Sequence, residues 1–235
     1  MLKLLKNRYL IAKSKVNIYA PFRWLKAAYL TVVYVDEWGE FPAFRFNGSV
    51  KVRIQKGLHS SLVIRKKLVF EQWLSGNGVT TITLRNHSQM QVNDEFVLGD
   101  GVRVFVSSGG RLLIKGKKTE PVSGITADSV VMVKKYVEIG DDAMIAWNTY
   151  VTDCDWHGIE GKEAVKETII NEHVWLGIGS KVLKGAVIGA GSIVTANSIV
   201  LQGEYPEKSL ISGNPASVVK QGVPAWSQEM KPHEA

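Results

Sequence analysis

Every sixth residue from Ile170 is aliphatic: Ile170, Leu176, Val182, Ile188, Val194 and Val200. Glycines sit at neighbouring positions, at Gly177, Gly179, Gly185, Gly189 and Gly191. A second register runs through Val133, Ile139, Ile145 and Val151, and a weaker one through Val92, Leu98 and Val104. A period of six fits neither an amphipathic helix nor an ordinary alternating strand. On a helix the stripe would drift off any one face, and each glycine would cost about 1 kcal/mol. A triangular coil does require this period. Each side is a short strand with one aliphatic side chain aimed at the axis, and each corner is a turn where small residues let the chain bend. Stacked coils bury one another, so no repeat is stable alone.

The register stops once. Six residues after Val151 it calls for an aliphatic, and His157 stands there. A polar, charged stretch at 158–168 follows before Ile170 resumes the pattern, which predicts a loop inserted beside the histidine. Upstream, residues 48–114 alternate in short apolar runs separated by turn residues, and read as irregular early coils. Residues 2–15 read as a short basic amphipathic helix. The predicted organisation is an N-terminal segment over 1–45, coils over 46–203 and a tail over 204–235.

Composition changes this picture little. An apolar fraction of 45% and seven Trp suffice for a sizeable core. No apolar run is long enough to span a membrane, the best stretch being Ala27 to Val35. No signal-peptide pattern opens the chain, and the single Cys154 forms no internal disulfide. The expectation is a cytoplasmic protein. Charge adds more. Lys3, Lys6, Arg8, Lys13, Lys15, Arg23 and Lys26 all precede the first acid, Asp36, and the other 22 cations match the 22 acids. The excess of +7 is therefore local. Uniform basicity would suggest nucleic acid. A basic segment interleaved with Leu, Tyr, Ile and Trp suggests peripheral contact with a membrane, an anionic substrate, or a solvated face packing on the body or a sister subunit.

Three segments carry a resemblance: Val174-Trp175-Leu176-Gly177, the run from Ile188 to Thr195, and Gly213-Asn214-Pro215-Ala216. They resemble the C-terminal signature of hexapeptide-repeat acyltransferases. The stretch from Ile145 to His157 is similar to the active-site region of the branch that O-acetylates polysaccharides. The match covers roughly residues 130–221. It implies an all-β, left-handed parallel β-helix with triangular coils, a short N-terminal helical segment and an active-site loop insertion. It also implies a homotrimer with each site between two subunits and acetyl-coenzyme A as co-substrate; no metal is expected, and the local charge points away from nucleic acid. The implied acceptor is a sugar hydroxyl of a bacterial surface polysaccharide, made for capsule, lipopolysaccharide or exopolysaccharide.

Acetyl transfer needs a base for the acceptor proton, donors for the developing oxyanion, and alignment of both substrates. Of His59, His87, His157, His173 and His233, only His157 closes a polar cluster at the end of a repeat register. Imidazole changes charge near neutral pH, so His157 suits the base. The alternative is a histidine capping a coil, with the nearby aspartates as turn formers. Asp153 or Asp155 would fix its tautomer, and spacing does not choose between them. A Cys154–His157 nucleophilic pair is a rival; the resemblance implies direct transfer instead.

Trp175 faces away from the axis. The resemblance implies that it lies near the thioester and takes part in catalysis. Trp147 and Asn148 are candidates for the acceptor groove. For coenzyme A, the resemblance points to Gly177, Ala190 and Thr195, with Lys220 suited to the 3′-phosphate. Ala196 and Ser217 stand where the family often has lysine. Zinc has little support, because no third histidine accompanies His157 and His173 at useful spacing. Two other functions compete: N-acetylation of a nucleotide-linked amino sugar, and a non-catalytic β-helix scaffold.

Overall fold

Each coil runs as strand, corner, strand, corner, strand, corner, and each strand stacks in parallel on one from the coil before. In the computed structural model, which describes residues 20–73, 78–117 and 123–228, this builds three sheets. The first face holds eight strands, from Glu37–Trp38 to Gly203–Tyr205. The second holds nine, from Phe44–Asn47 to Leu210–Gly213 and the closing strand Ala216–Lys220. The third holds seven, from Lys51–Lys56 to Ile199–Val200. The predicted triangular parallel β-helix is the observed architecture.

The hexapeptide register is the core. Ile139, Ile170 and Ile188 stack on the first face, Ile145, Leu176 and Val194 on the second, and Val151, Val182 and Val200 on the third. All nine side chains are fully buried. Truncating one such Ile or Leu to Ala would cost about 2–5 kcal/mol.

The early coils are more regular than the sequence suggests. Lys51–Lys56, Val79–Leu84 and Arg111–Gly116 are six-residue strands with unbroken registers. The coil begins at Glu37, before the boundary expected at residue 46.

Corners require a backbone turn that few residues adopt. Between the second and third faces, Gly101, Asp128, Asn148, Gly179 and Asn197 all have φ between 50° and 73°. Gly, Asn and Asp tolerate this left-handed region best. At Gly179 space also decides, since a Cβ would lie 2.3 Å from Asn197 Oδ1.

The two ends are closed differently. A helix, α1 (Ala20–Tyr34), lies across the first coil. Its Thr31 hydroxyl accepts the Ala43 amide at 3.0 Å and donates to the Ala27 carbonyl at 2.8 Å. Lys26 Nζ donates to Val50 O, and Lys56 Nζ to Tyr34 O. The helix expected over 2–15 lies outside the described residues. At the other end Ala216–Lys220 turns back antiparallel on Leu210–Gly213 and covers that sheet edge. No described helix is long and apolar enough to cross a membrane.

Candidate active site

The chain leaves the third face after Tyr150–Thr152 and rejoins the first at Thr168–Ile170. Between them residues 153–167 form a finger rather than a loose loop. Antiparallel bridges link Cys154 to Val165 and Ile159 to Lys162. The Asp155 amide donates to Ala164 O and the Lys166 amide to Asp153 O, each at 2.9 Å. Lys184 fastens the foot, with its Nζ 2.5 Å from Asp155 Oδ2 and a second bond to Glu163 O.

His157 stands on this finger, exposed, and neither ring nitrogen has a hydrogen-bond partner among the described residues. The residue before it sets its direction. Trp156 has φ of 63°, unusual for a bulky side chain. Its indole N–H donates to Thr152 Oγ1 at 3.2 Å, and its ring meets Phe105 edge-on at 5.8 Å.

Neither expected aspartate is hydrogen-bonded to His157 in the single chain. Asp153 is fully buried, and its carboxylate accepts the backbone amides of Lys134, Lys135 and Tyr136 at 2.6, 2.6 and 2.7 Å. It fastens the corner from which the next strand departs. Asp155 is turned to Lys184 instead. Cys154 is buried, and its Sγ accepts the Trp156 amide at 3.2 Å rather than facing His157.

The histidine–aspartate pair that does form involves His173. Its Nδ1 lies 2.7 Å from Asp142 Oδ2, and Lys117 Nζ holds the other carboxylate oxygen at 2.7 Å. Its Nε2 lies 3.1 Å from the Trp226 carbonyl, and the two rings stack at 4.5 Å and 9°. Trp226 Nε1 returns a bond to His173 O at 2.8 Å. Both ring nitrogens face acceptors already, so this pair clamps the C-terminal tail.

The edge between the second and third faces collects Trp147, Asn148, Gly177 and Thr195. The expected acceptor residues thus share one line with two of the expected cofactor residues, Gly177 and Thr195. At each coil the same corner position leaves a backbone N–H without a partner among the described residues: Trp147, Ile178 and Ala196. Trp147 and Ile178 are also exposed. An arm carrying amides and methylenes fits such an edge, through the free N–H donors and the apolar side chains. Gly177 is glycine for another reason than expected. A Cβ there would meet Ala196 N at 2.7 Å, so stacking of coils demands it. Thr195 Oγ1 is bonded to Ser198 and Ser212 hydroxyls at 2.8 and 2.7 Å.

Trp175 lies on the second face between Met144 and Ile193, half-exposed, with its ring 6.0 Å from Trp226. Ala190 sits at the opposite edge of that face, its carbonyl accepting the Lys208 amide. Lys220 ends the return strand, exposed. Within the chain, then, the finger of His157 projects from the edge between third and first faces, and the Trp147–Thr195 line follows another edge. The sequence does not single out Trp156, Lys184 or Trp226. Trp156 adjoins the histidine, but Lys184 and Trp226 leave no spacing signal.

No protein-family model matches the chain. It is 26% identical over 153 residues to a protein named for lipopolysaccharide biosynthesis O-acetyl transfer, WbbJ of Escherichia coli K12, covering 58% of this chain and 74% of that one. It is 29% identical over 132 residues to the polysialic acid O-acetyltransferase of Escherichia coli O1:K1, covering 54% of this chain but only 41% of the relative. The solved polySia-specific acetyltransferase NeuO aligns over 83% of this chain and 86% of its own at 22% identity, with a TM-score of 0.49. In sequence the chain is thus similar to proteins named as acetyltransferases. Among these relatives are proteins named for O-acetylation of polysialic acid and in lipopolysaccharide biosynthesis.

Proposed function

We propose that the protein O-acetylates a hydroxyl of a bacterial surface polysaccharide or its precursor, with His157 as general base. The observation that carries this reading is the exposed imidazole, with neither nitrogen bonded among the described residues, on a finger that breaks the coil. A base must reach an acceptor proton, and of the pair His157 and His173 only His157 has a ring nitrogen not already bonded among the described residues. Trp156, pinned to Thr152 and Phe105, holds it outward.

Acetyl-coenzyme A, when bound, supplies the activated acetyl group. The edge of Trp147, Gly177, Ile178 and Thr195 would hold its arm, Lys220 its phosphate, and Trp175 the end nearest the chemistry. His157 would take the proton of the acceptor hydroxyl as the oxygen attacks the thioester carbonyl, and would return it to the coenzyme A thiolate that leaves. The finger and this edge lie on different sides of one prism. We therefore read the enzyme as a homotrimer of left-handed coils, in which the finger of one copy meets the edge of the next. The reaction belongs in the cytoplasm, where acetyl-coenzyme A is made.

The test is incubation of the purified protein with acetyl-coenzyme A and defined glycans, read by mass spectrometry. A gain of one acetyl group on a hydroxyl, lost with His157→Ala, is the expected result. Acetylation confined to an amino group of a nucleotide-linked sugar would replace this reading with N-acetylation. Absence of cofactor binding in calorimetry would make the protein a scaffold.

A further inference from the structure

The outward face of α1 is apolar where a solvent-facing helix should be polar. Ala27 and Thr31 are its buried stripe. On the opposite side stand Phe22, Leu25, Tyr29, Val32 and Val33, at helical spacing and 49–71% exposed. No charged side chain interrupts that stripe, and Lys26 beside it is turned inward to Val50 O. Solvation does not explain five neighbouring apolar side chains on one face.

Two clefts of about 420 and 470 Å³ flank the helix. Cations line both, and no acidic side chain lines either. Arg45 and Lys67 are paired with Glu95 and Glu40. Arg23 and Lys51 have no ion-pair partner among the described residues. In the sequence the helix also follows a stretch that carries Lys3, Lys6, Arg8, Lys13 and Lys15 and contains no Asp or Glu.

We propose that α1 docks this face into an anionic phospholipid bilayer. The apolar stripe would enter the boundary between headgroups and acyl chains, and Arg23 and Lys51 would take lipid phosphates at the flanking clefts. A second copy of the chain matches less well, because it would bring the same unpaired cations together. A bilayer satisfies apolar face and cations at once.

The orientation has a consequence for the acceptor. Because α1 lies across the first coil, its outer face points away from the body. In the proposed trimer, with coil axes parallel, three such faces would lie on one side. The coil that bears His157 is four coils further on, or roughly 20 Å at about 4.8 Å per coil. The site would stand above the membrane surface, within reach of a glycan carried on lipid. This last step rests on the proposed function; the docking of α1 does not.

Cosedimentation of the full chain with vesicles tests the docking. The protein should pellet with phosphatidylglycerol–phosphatidylethanolamine vesicles, less so at high salt, and not with phosphatidylcholine. Leu25→Glu/Tyr29→Glu/Val32→Glu should weaken binding by about tenfold or more, since three apolar groups that would enter the bilayer are lost. All three sites are exposed, so the melting temperature and transfer to a soluble acceptor should stay unchanged. Arg23→Glu/Lys51→Glu should reduce binding and its salt dependence. The proposal fails if the triple variant partitions like the parent, or if neutral vesicles bind equally. It also fails if the parent ignores vesicles and the triple variant instead breaks a larger oligomer, which would assign the face to a second copy.

Discussion

His157 and His173 are one side chain in two opposite settings. His157 stands on a finger in solvent with both nitrogens free among the described residues. His173 has a carboxylate 2.7 Å from one nitrogen, a carbonyl 3.1 Å from the other, and an indole stacked on its ring. By the usual search for a histidine–aspartate pair, His173 would be the base. The geometry argues the reverse. A nitrogen already aimed at an oxygen inside the chain has no place for a substrate proton. A histidine can hold structure or move protons, and the count of its free nitrogens separates the two.

The largest expected effect follows directly. His157→Ala should lower kcat by roughly 10²–10⁴-fold, the usual contribution of a positioned base. Calorimetric binding of the cofactor should persist. His173→Ala should leave kcat within a few-fold. If the two variants exchange behaviour in an acetyl-transfer assay, His173 is the base and His157 is not.

The next effect tests whether two edges meet between copies. Ala196→Glu would place a carboxylate on the exposed edge proposed to hold the cofactor, against an anionic nucleotide. Alone it should be nearly inactive, as should His157→Ala. Coexpressed, the two should form mixed oligomers that recover activity by about tenfold over either parent, because some interfaces then carry one intact finger and one intact edge. Recovery that never exceeds the parents would place the whole site within one chain.

Asp153, four residues before His157, serves stability instead. Its carboxylate satisfies three backbone amides in the interior. Asp153→Ala strands those donors and should destabilise the fold by about 3 kcal/mol in urea denaturation. A variant with normal stability and lost turnover would return Asp153 to the side of His157. A smaller effect is expected at the clamp. His173→Phe keeps a ring against Trp226 but loses both hydrogen bonds, at a cost of about 1 kcal/mol. Acrylamide should then quench more of the Trp fluorescence.

The coil was legible where its length is constant. Ile170 and Ile188, Leu176 and Val194, and Val182 and Val200 are stacked partners eighteen residues apart, so three hexapeptides fill a turn. Earlier partners such as Ile114 and Ile139, or Ile139 and Ile170, are separated by longer and unequal stretches, because loops enlarge the corners. The same strands form, but no fixed period betrays them. The break at His157 was legible for the same reason, since it falls inside a running register. The partners of the aspartates were not. Asp153 is bound to amides seventeen to nineteen residues upstream and Asp155 to a lysine on the next coil, contacts created only by stacking. Helix α1 escaped because its outward face is apolar, which erases the alternation that marks a surface helix.

The smallest effect separates the acid sensitivity of the fold from that of the reaction. Glu138 belongs to the strand whose first amide, Tyr136 N–H, is held by Asp153. Burial alone would push its carboxyl up, but bonds from Lys115 at 2.7 Å and Tyr136 at 2.5 Å outweigh it and hold the group below the ordinary glutamate value. Tyr136 remains a donor throughout, because burial and the bond to Glu138 push its phenol up to about 12. A carboxyl depressed in the folded state binds protons more readily when unfolded. Its stabilisation is therefore complete above the unfolded value and is lost as pH falls through the folded one. Asp141 works the other way: burial raises it, so its penalty is relieved as pH falls. Glu138→Gln should thus flatten the loss of stability below the usual carboxylate range, by under about 1 kcal/mol for a partly exposed pair. Thermal melts across acid pH would show it. The pH profile of acetyl transfer should not move, because Glu138 and His157 serve different ends; a shift in that profile would tie the strand to the base.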